Sequence, residues 1–186
     1  MKEKEDLRGW VEVAVRNEPV PTLSGKKDPP AFNQLDAMII IVDASEWGWG
    51  ALLYSKQREL VTTSCGQWRA GEDYRSSVKA EPRGVREAVS AFWNQIGGVG
   101  VAILTDHEGL VWARRAMFTH SYWYNGCFLF LEDVERKLGG KFYFYFLEGK
   151  RNIADSLSRG KGVEETSFPE IAGTGMVCAS LCPWQL

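Results

Sequence analysis

The sequence predicts an α/β domain in which helices cover the faces of a mixed β-sheet. Five apolar or aromatic runs have the length of strands, and stretches with helical spacing of apolar residues separate the later ones. The resulting order, β-β-β-α-β-α-α-β-α, is typical of a sheet with helices packed on it. The chain has 186 residues, of which 45% are hydrophobic, so it can bury one core in a single domain with tails.

The first three predicted strands follow one another closely and indicate an antiparallel meander. Met38–Asp43 is an almost continuous apolar run, as expected for a strand that is buried on both faces. Two glycines lead into a second strand at Leu52–Tyr54, and Leu60–Ser64 is the third. Prolines interrupt the chain before this meander, so we interpret residues 1–37 as a linker or lead-in segment.

The later elements alternate between helices and strands. A helix is predicted to begin near Glu81, with Pro82 in its first turn, and to stop at Gly97, because proline suits helix starts and glycine suits helix ends. Val101–Thr105 has the composition of a fourth strand. The remaining predicted elements are helices at Glu108–Met117 and Trp123–Leu138, a strand at Phe142–Phe146 and a short helix at about 153–159.

Composition and charge exclude some classes of protein. The formal net charge of −2 argues against a strongly basic nucleic-acid coat protein, although a local basic groove remains open. The four cysteines are scattered, which indicates free thiols in a reducing compartment; the Cys178/Cys182 pair is a weak zinc pattern. We find no signal-peptide pattern and no long apolar span, and therefore expect an intracellular protein, cytoplasmic or nuclear, without membrane contact. Residues 161–186 are interpreted as a C-terminal tail.

Four acidic residues, each in a short motif of its own, are the candidate functional residues. Asp43 and Asp106 end apolar strands, whereas Glu81 and Asp155 lie at or near predicted helix starts. Charges beside a core are costly unless something pairs with them, and a divalent cation bound by oxygen ligands is one such partner. The four carboxylates therefore predict a magnesium site. Taken singly, each also fits a plainer role, such as an acid that stabilises a helix N-terminus.

The motifs around these carboxylates resemble those of the ribonuclease H domain attached to retroelement reverse transcriptases. Val42–Ala51 is similar to the "DAS..GWGA" opening of DIRS-type elements and hepadnavirus polymerases, and Thr105–Leu110 to the "TDH..L" block of gypsy-type elements. Gly149–Arg159 resembles their closing "G..N..AD.LSR" motif, and Ala80–Glu81 their "E" block. The resemblance covers residues 38–160. It implies a ribonuclease H-like fold, with three antiparallel strands followed by two parallel ones and helices on both faces.

The chain departs from the family pattern at several positions. One residue separates Asn152 from Ala154, a spacing shared with hepadnavirus sequences, where gypsy and DIRS elements have two. Glu81 is followed by Pro-Arg-Gly in place of aliphatic residues, so Glu87 is an alternative second ligand. The loop before Asp155 lacks the histidine that many members carry, and the basic protruding helix of cellular members is missing from the sequence.

The resemblance implies a metal-dependent endonuclease that hydrolyses the RNA strand of RNA/DNA hybrids. Two Mg²⁺ ions, for which Mn²⁺ could substitute, would be held by the four carboxylates, with Asp43 as the bridging ligand. Ser45, Asn152 and Arg159 are the residues expected to contact substrate. The expected partner is an upstream reverse transcriptase domain of the same polyprotein, and we expect the isolated domain to be a monomer.

Two other interpretations stay open at this point. The domain could be a catalytically inactive ribonuclease H-like fold used for nucleic-acid binding or for connection. It could also be another polynucleotidyl transferase of the same fold, such as an integrase or resolvase, although the motif order argues against this. Ser45 and Asn152 are equally suited to bonding the backbone of their own turns. We interpret His107 as local loop structure rather than as a catalytic base.

Overall fold

A computed structural model describes residues 29–116, 119–163 and 167–169. Most of the predicted lead-in and tail, including the Cys178/Cys182 pair, lies outside the described residues. Within them the elements follow the predicted order: β1 (Ala37–Ala44), β2 (Gly48–Tyr54), β3 (Leu60–Gln67), α1 (Ser77–Ala91), β4 (Gly100–Thr105), α2 (Glu108–Ala116), α3 (Tyr122–Leu138), β5 (Phe142–Phe146) and α4 (Asp155–Ser158). Short 3₁₀ turns at Phe32–Gln34 and Gly149–Arg151 precede β1 and α4.

The strands form one five-stranded sheet in the order β3-β2-β1-β4-β5. The pairs β1/β2 and β2/β3 are antiparallel, whereas β1/β4 and β4/β5 are parallel. This arrangement confirms the predicted fold class. Because β1 and β4 are parallel neighbours, their C-terminal ends meet at the same edge of the sheet.

Both faces of the sheet are covered, which explains the continuous apolar run of β1. Successive side chains of a strand point to opposite faces. Ile40 and Val42 therefore join the core beneath α1, α2 and α3, while Ile39 and Ile41 join a second core on the other face. The short helix α4 contributes Leu157 to that second core.

An aromatic cluster on the second face includes two residues from outside the predicted domain limits. Its rings belong to Phe32, Tyr54, Tyr145 and Phe168. The Arg58 guanidinium lies 5.7 Å from the ring centre of Phe32 and 5.3 Å from that of Phe168. The Tyr145 hydroxyl donates a hydrogen bond of 2.8 Å to the Pro30 carbonyl. Residues before 38 and after 160 thus take part in the packing of the domain.

Helix α1 begins one turn before the predicted start. The prediction placed Pro82 in the first turn, but the helix starts at Ser77, and Pro82 is buried inside it. The Ser76 carbonyl accepts the amide hydrogens of Lys79 and Ala80, at 2.9 and 3.0 Å. The apolar residue of this first turn, Val78, is exposed, so no apolar periodicity in the sequence marks the turn as helical. As a consequence Glu81 lies in the second turn, where its side chain is buried.

Strand β2 begins at Gly48, four residues before the predicted strand. From the sequence alone, the glycines of this strand predict a loop. In the structure, each glycine allows a neighbouring segment of the chain to pack closely against the strand. A Cβ added at Gly50 would overlap Leu157 and the main chain of Ser158, and one at Gly48 would overlap the Gly66 carbonyl. Gly50 pairs with Asp43 across the ladder, so α4 is seated directly beside the end of β1.

Candidate active site

Three of the four predicted carboxylates converge at the edge where β1 and β4 end. Asp43 is the penultimate residue of β1, Asp106 directly follows β4, and Glu81 reaches this edge from α1. One carboxylate oxygen from each of the three lies within 4.8 Å of the others. The parallel pairing of β1 with β4 brings the two aspartates together, and the packing of α1 on the sheet adds the glutamate.

Asp155 lies outside this three-carboxylate cluster. It is the first residue of α4, and its side chain is 49% exposed. Arg159, one turn later, holds both of its oxygens: Nε lies 3.0 Å from Oδ1 and 3.1 Å from Oδ2, and Nη2 lies 2.8 Å from Oδ1. The negative charge of Asp155 nevertheless contributes to the raised pKa values of Asp43 and Asp106, so it is a near neighbour of the cluster.

The cluster carries more negative charge than its surroundings balance. Burial, and then the charges of Asp43 and Asp106, raise the pKa of Glu81 well above its ordinary value. Burial raises the pKa of Asp43 to about 6, with further contributions from Asp106 and Asp155. The pKa of Asp106 is also raised, chiefly by burial. Three carboxyls that all resist ionisation in close contact are the electrostatic signature of a site that accepts a cation.

Asn152 fixes the position of Asp43. Its buried side-chain amide donates to the Val42 carbonyl and to Asp43 Oδ1, both at 3.2 Å. Its own oxygen accepts the amide hydrogen of Ala154 at 3.2 Å, which shapes the entry into α4. The residue predicted to contact substrate thus links the end of β1 to the start of the last helix.

Ser45 has a comparable place in the turn between β1 and β2. Its buried hydroxyl donates to the Ser158 carbonyl at 2.7 Å and accepts the amide hydrogens of Trp47 and Gly48, at 3.1 and 3.3 Å. The turn is thereby tied to α4. Among the three residues predicted to contact substrate, Arg159 has the exposed side chain, at 50%.

Two side chains beside the cluster were not predicted as site residues. The Thr105 hydroxyl lies 3.5 Å from Glu81 Oε2 and accepts the amide hydrogen of His107 at 3.1 Å. The Tyr124 hydroxyl lies 2.6 Å from His107 Nε2. Thr105 stands in the same motif as Asp106, so the sequence could have indicated it, whereas Tyr124 comes from α3 and carries no motif of its own.

Glu87, the alternative to Glu81, has a different environment. It forms an ion pair of 2.6 Å with Arg83, and both side chains are partly buried on α1. Glu81 is therefore the α1 acid that belongs to the carboxylate cluster.

Comparison with known protein families agrees with the motifs. Residues 34–124 match the family model for the RNase H-like domain found in reverse transcriptase. This segment, which is just under half of the chain, is similar to that reverse-transcriptase-type domain. It includes β1 to β4 and three of the four predicted carboxylates. No curated protein matches the chain significantly.

Solved structures show that this RNase H-like domain has the fold of ribonucleases H. One is the N-terminal RNase H domain of rv2228c from Mycobacterium tuberculosis, fused to maltose-binding protein (TM-score 0.55, 16% identity, 67% of this chain and 91% of that one). Another is RNase H1 from the halophilic archaeon Halobacterium salinarum NRC-1 (0.52, 11%, 65% and 92%). A third is LC11-RNase H1 in complex with an RNA/DNA hybrid (0.50, 13%, 67% and 94%).

The donor set of the RNase H-like domain fits a hard divalent cation. The three clustered ligands are all carboxylates, and oxygen-only ligation is what Mg²⁺, Mn²⁺ and Ca²⁺ prefer. Burial and the neighbouring carboxylates raise the pKa values of Asp43 and Glu81, and a bound cation would favour their ionised forms. Among the described residues, no helix is long and apolar enough to cross a membrane.

Proposed function

We propose that this domain is a ribonuclease H, a metal-dependent endonuclease that hydrolyses the RNA strand of RNA/DNA hybrids during retroelement reverse transcription. The observation that carries the proposal is the convergence of Asp43, Glu81 and Asp106 at the edge of an RNase H-like sheet. LC11-RNase H1, which has the same fold, was solved with an RNA/DNA hybrid bound. We propose an upstream reverse transcriptase domain of the same polyprotein as the partner, and a monomeric state for the domain in isolation.

The proposed residue roles follow from the positions of the side chains. Asp43 lies at the end of the central strand β1, with one carboxylate oxygen within 4.8 Å of oxygens of both Glu81 and Asp106, and the charge of Asp155 also acts on it. This position suits a ligand shared by two ions, with Glu81 and Asp106 on one side and Asp155 on the other. Two divalent ions would supply an activated water for attack on phosphorus and would stabilise the leaving 3′ oxygen. Asn152 and Ser45 hold Asp43 and α4 in place, and Arg159 can reach a substrate phosphate.

The test is cleavage of a labelled RNA/DNA hybrid in Mg²⁺ or Mn²⁺, with RNA and DNA duplexes as comparison substrates. We expect Asp43→Asn and Glu81→Gln each to lower the rate by at least about a hundredfold, or about 2.7 kcal/mol of transition-state stabilisation. Glu87→Gln is the matched control on the same helix, because Glu87 pairs with Arg83 outside the cluster, and it should keep its activity. Undiminished cleavage by Asp43→Asn would refute the assignment.

A second candidate is an inactive domain that binds nucleic acid or connects other domains. The ion pair between Asp155 and Arg159 favours this inactive domain, because Asp155 is one of the four expected metal ligands and is paired with an arginine instead. The two functions are separated by measuring hybrid binding and cleavage together. An inactive domain would bind the hybrid without cutting it in either metal, and Asp43→Asn would leave that binding unchanged.

A further inference from the structure

We propose that Arg159 is an internal counter-ion, which holds Asp155 out of the carboxylate cluster and releases it when a divalent cation binds. Arg159 would then be free to bind a phosphate of the nucleic acid. The proposal rests on the proposed function, because the exchange has a role only if the cluster binds metal. The Arg159 side chain would thereby couple metal binding to substrate binding.

Arg159 contacts both carboxylate oxygens of Asp155. Arg159 Nε contacts both carboxylate oxygens, at 3.0 and 3.1 Å, and Nη2 contacts Oδ1 at 2.8 Å. The two residues are four positions apart, which places them on the same face of one helical turn. No oxygen of Asp155 joins the group formed by Asp43, Glu81 and Asp106.

The charge of Arg159 also acts on the cluster itself. Burial and the carboxylates of Asp106 and Asp155 raise the pKa of Asp43, and a hydrogen bond with Ser158 and, to a smaller extent, the Arg159 guanidinium lower it. Its guanidinium thus serves as a counter-charge both to Asp155 and to the end of β1. A divalent cation bound to the cluster would provide the same compensation more strongly and would make the guanidinium dispensable there.

Asp155 and Arg159 can exchange each other for new partners at little cost in stability. Both side chains are about half exposed, and exposed ion pairs of this kind contribute little to stability. A released carboxylate of Asp155 gains a divalent partner, while the released guanidinium remains at the surface beside the site. Guanidinium groups bind phosphate oxygens in a bidentate manner, so the backbone of the nucleic acid is the expected second partner.

The experiment measures Mn²⁺ binding to the full chain by isothermal titration calorimetry, without nucleic acid. Removing the competing guanidinium in Arg159→Gln should tighten binding of the Asp155-dependent ion by about three- to tenfold. Adding Asp155→Asn to that variant should abolish the gain. Arg159→Lys, which keeps the charge but loses the fork, should lie between. Hybrid binding in Ca²⁺ should change in the opposite direction and weaken in Arg159→Gln.

Arg136→Gln is the matched control for removal of a surface arginine. Arg136 pairs with Asp133 at 2.7 Å near the end of α3, about 18 Å along that helix from Tyr124 at the site. It should leave Mn²⁺ affinity unchanged. Equal or weaker Mn²⁺ binding by Arg159→Gln overturns the counter-ion proposal alone, provided that the wild type binds the ion. Failure of every variant, wild type included, to bind Mn²⁺ overturns the proposed function as well.

Discussion

At the scale of single residues, the carboxylates of the site oppose the folding of the metal-free protein. The pKa of Asp43 is raised from its ordinary value of 3.8 to about 6. A carboxyl whose pKa is higher in the folded chain stabilises the fold while it is protonated. This contribution is lost as the pH rises from about 4 through about 6. At neutral pH the ionised Asp43 is therefore a destabilising group.

It follows that Asp43→Asn should stabilise the protein while it abolishes cleavage. In the presence of a chelator at pH 7, we expect the free energy of unfolding to rise by about 1–3 kcal/mol. The gain should disappear below about pH 4, where Asp43 is protonated in both the folded and the unfolded chain. Urea denaturation at the two pH values measures this. A variant that is equally or less stable than the wild type at pH 7 would contradict the electrostatic account.

Some of the side chains and contacts of the site had a signal in the sequence, and others had none. Asp43 and Asp106 were recognisable because each ends a strand, and the structure places them together with Glu81. The pairing of Asp155 with Arg159 had a visible signal in their four-residue spacing. The bond from Asn152 to the Val42 carbonyl had none, because it joins residues 110 positions apart in the sequence.

At the scale of elements, the interiors of strands and helices were predictable and several of their ends were not. Apolar periodicity marks buried surface and so predicted the elements, whereas the arrangement of antiparallel and parallel strands was implied by the family resemblance. The first turn of α1 and the first residues of β2 lack that periodicity, since one is exposed and the other contains glycines chosen by close packing. Tertiary contacts, rather than local preference, set these two boundaries.

The close packing of α4 against β2 predicts the effect of a substitution at Gly50. Gly50→Ala would place a methyl group against Leu157 and the main chain of Ser158, so α4 must move. We expect it to lower the free energy of unfolding by about 1–3 kcal/mol and to reduce cleavage. Gly126→Ala in α3 is the control, since its Cβ would meet nothing within 4 Å. This helical change should stabilise the protein by about 0.5–1 kcal/mol. Thermal unfolding of both variants measures these changes in stability. A Gly50→Ala variant as stable as the wild type would show that α4 can shift to accommodate the methyl group.

At the scale of the whole molecule, packing against the sheet extends beyond the residues that carry the motifs. The aromatic cluster joins Phe32 and Phe168 around Arg58, and both phenylalanines lie outside the predicted limits of 38–160. Composition could not reveal this, because the segments around them are rich in residues that favour loops. Two rings separated by most of the chain meet only once the sheet is formed.

The cluster predicts that Phe168→Ala weakens the whole fold. Loss of a partly buried ring from the second core should lower the free energy of unfolding by about 1–3 kcal/mol, as measured by chemical denaturation. Tyr122→Ala removes a ring that is 79% exposed and serves as the control, with an expected change within about 0.5 kcal/mol. Equal effects of the two substitutions would show that residues 167–169 do not hold the domain together.

The convergence of the carboxylates also has a consequence for the synthesis of the protein. The three clustered acids come from positions 43, 81 and 106, Asp155 follows much later in the sequence, and Asp43 depends on Asn152 for its orientation. A nascent chain that has emerged only as far as β5 can pair its strands, but it has neither α4 nor the amide that fixes Asp43. Domains fold as units during translation. Under the proposed function, a growing polypeptide would therefore be unable to cut nucleic acid near the ribosome until almost all of the domain had been made.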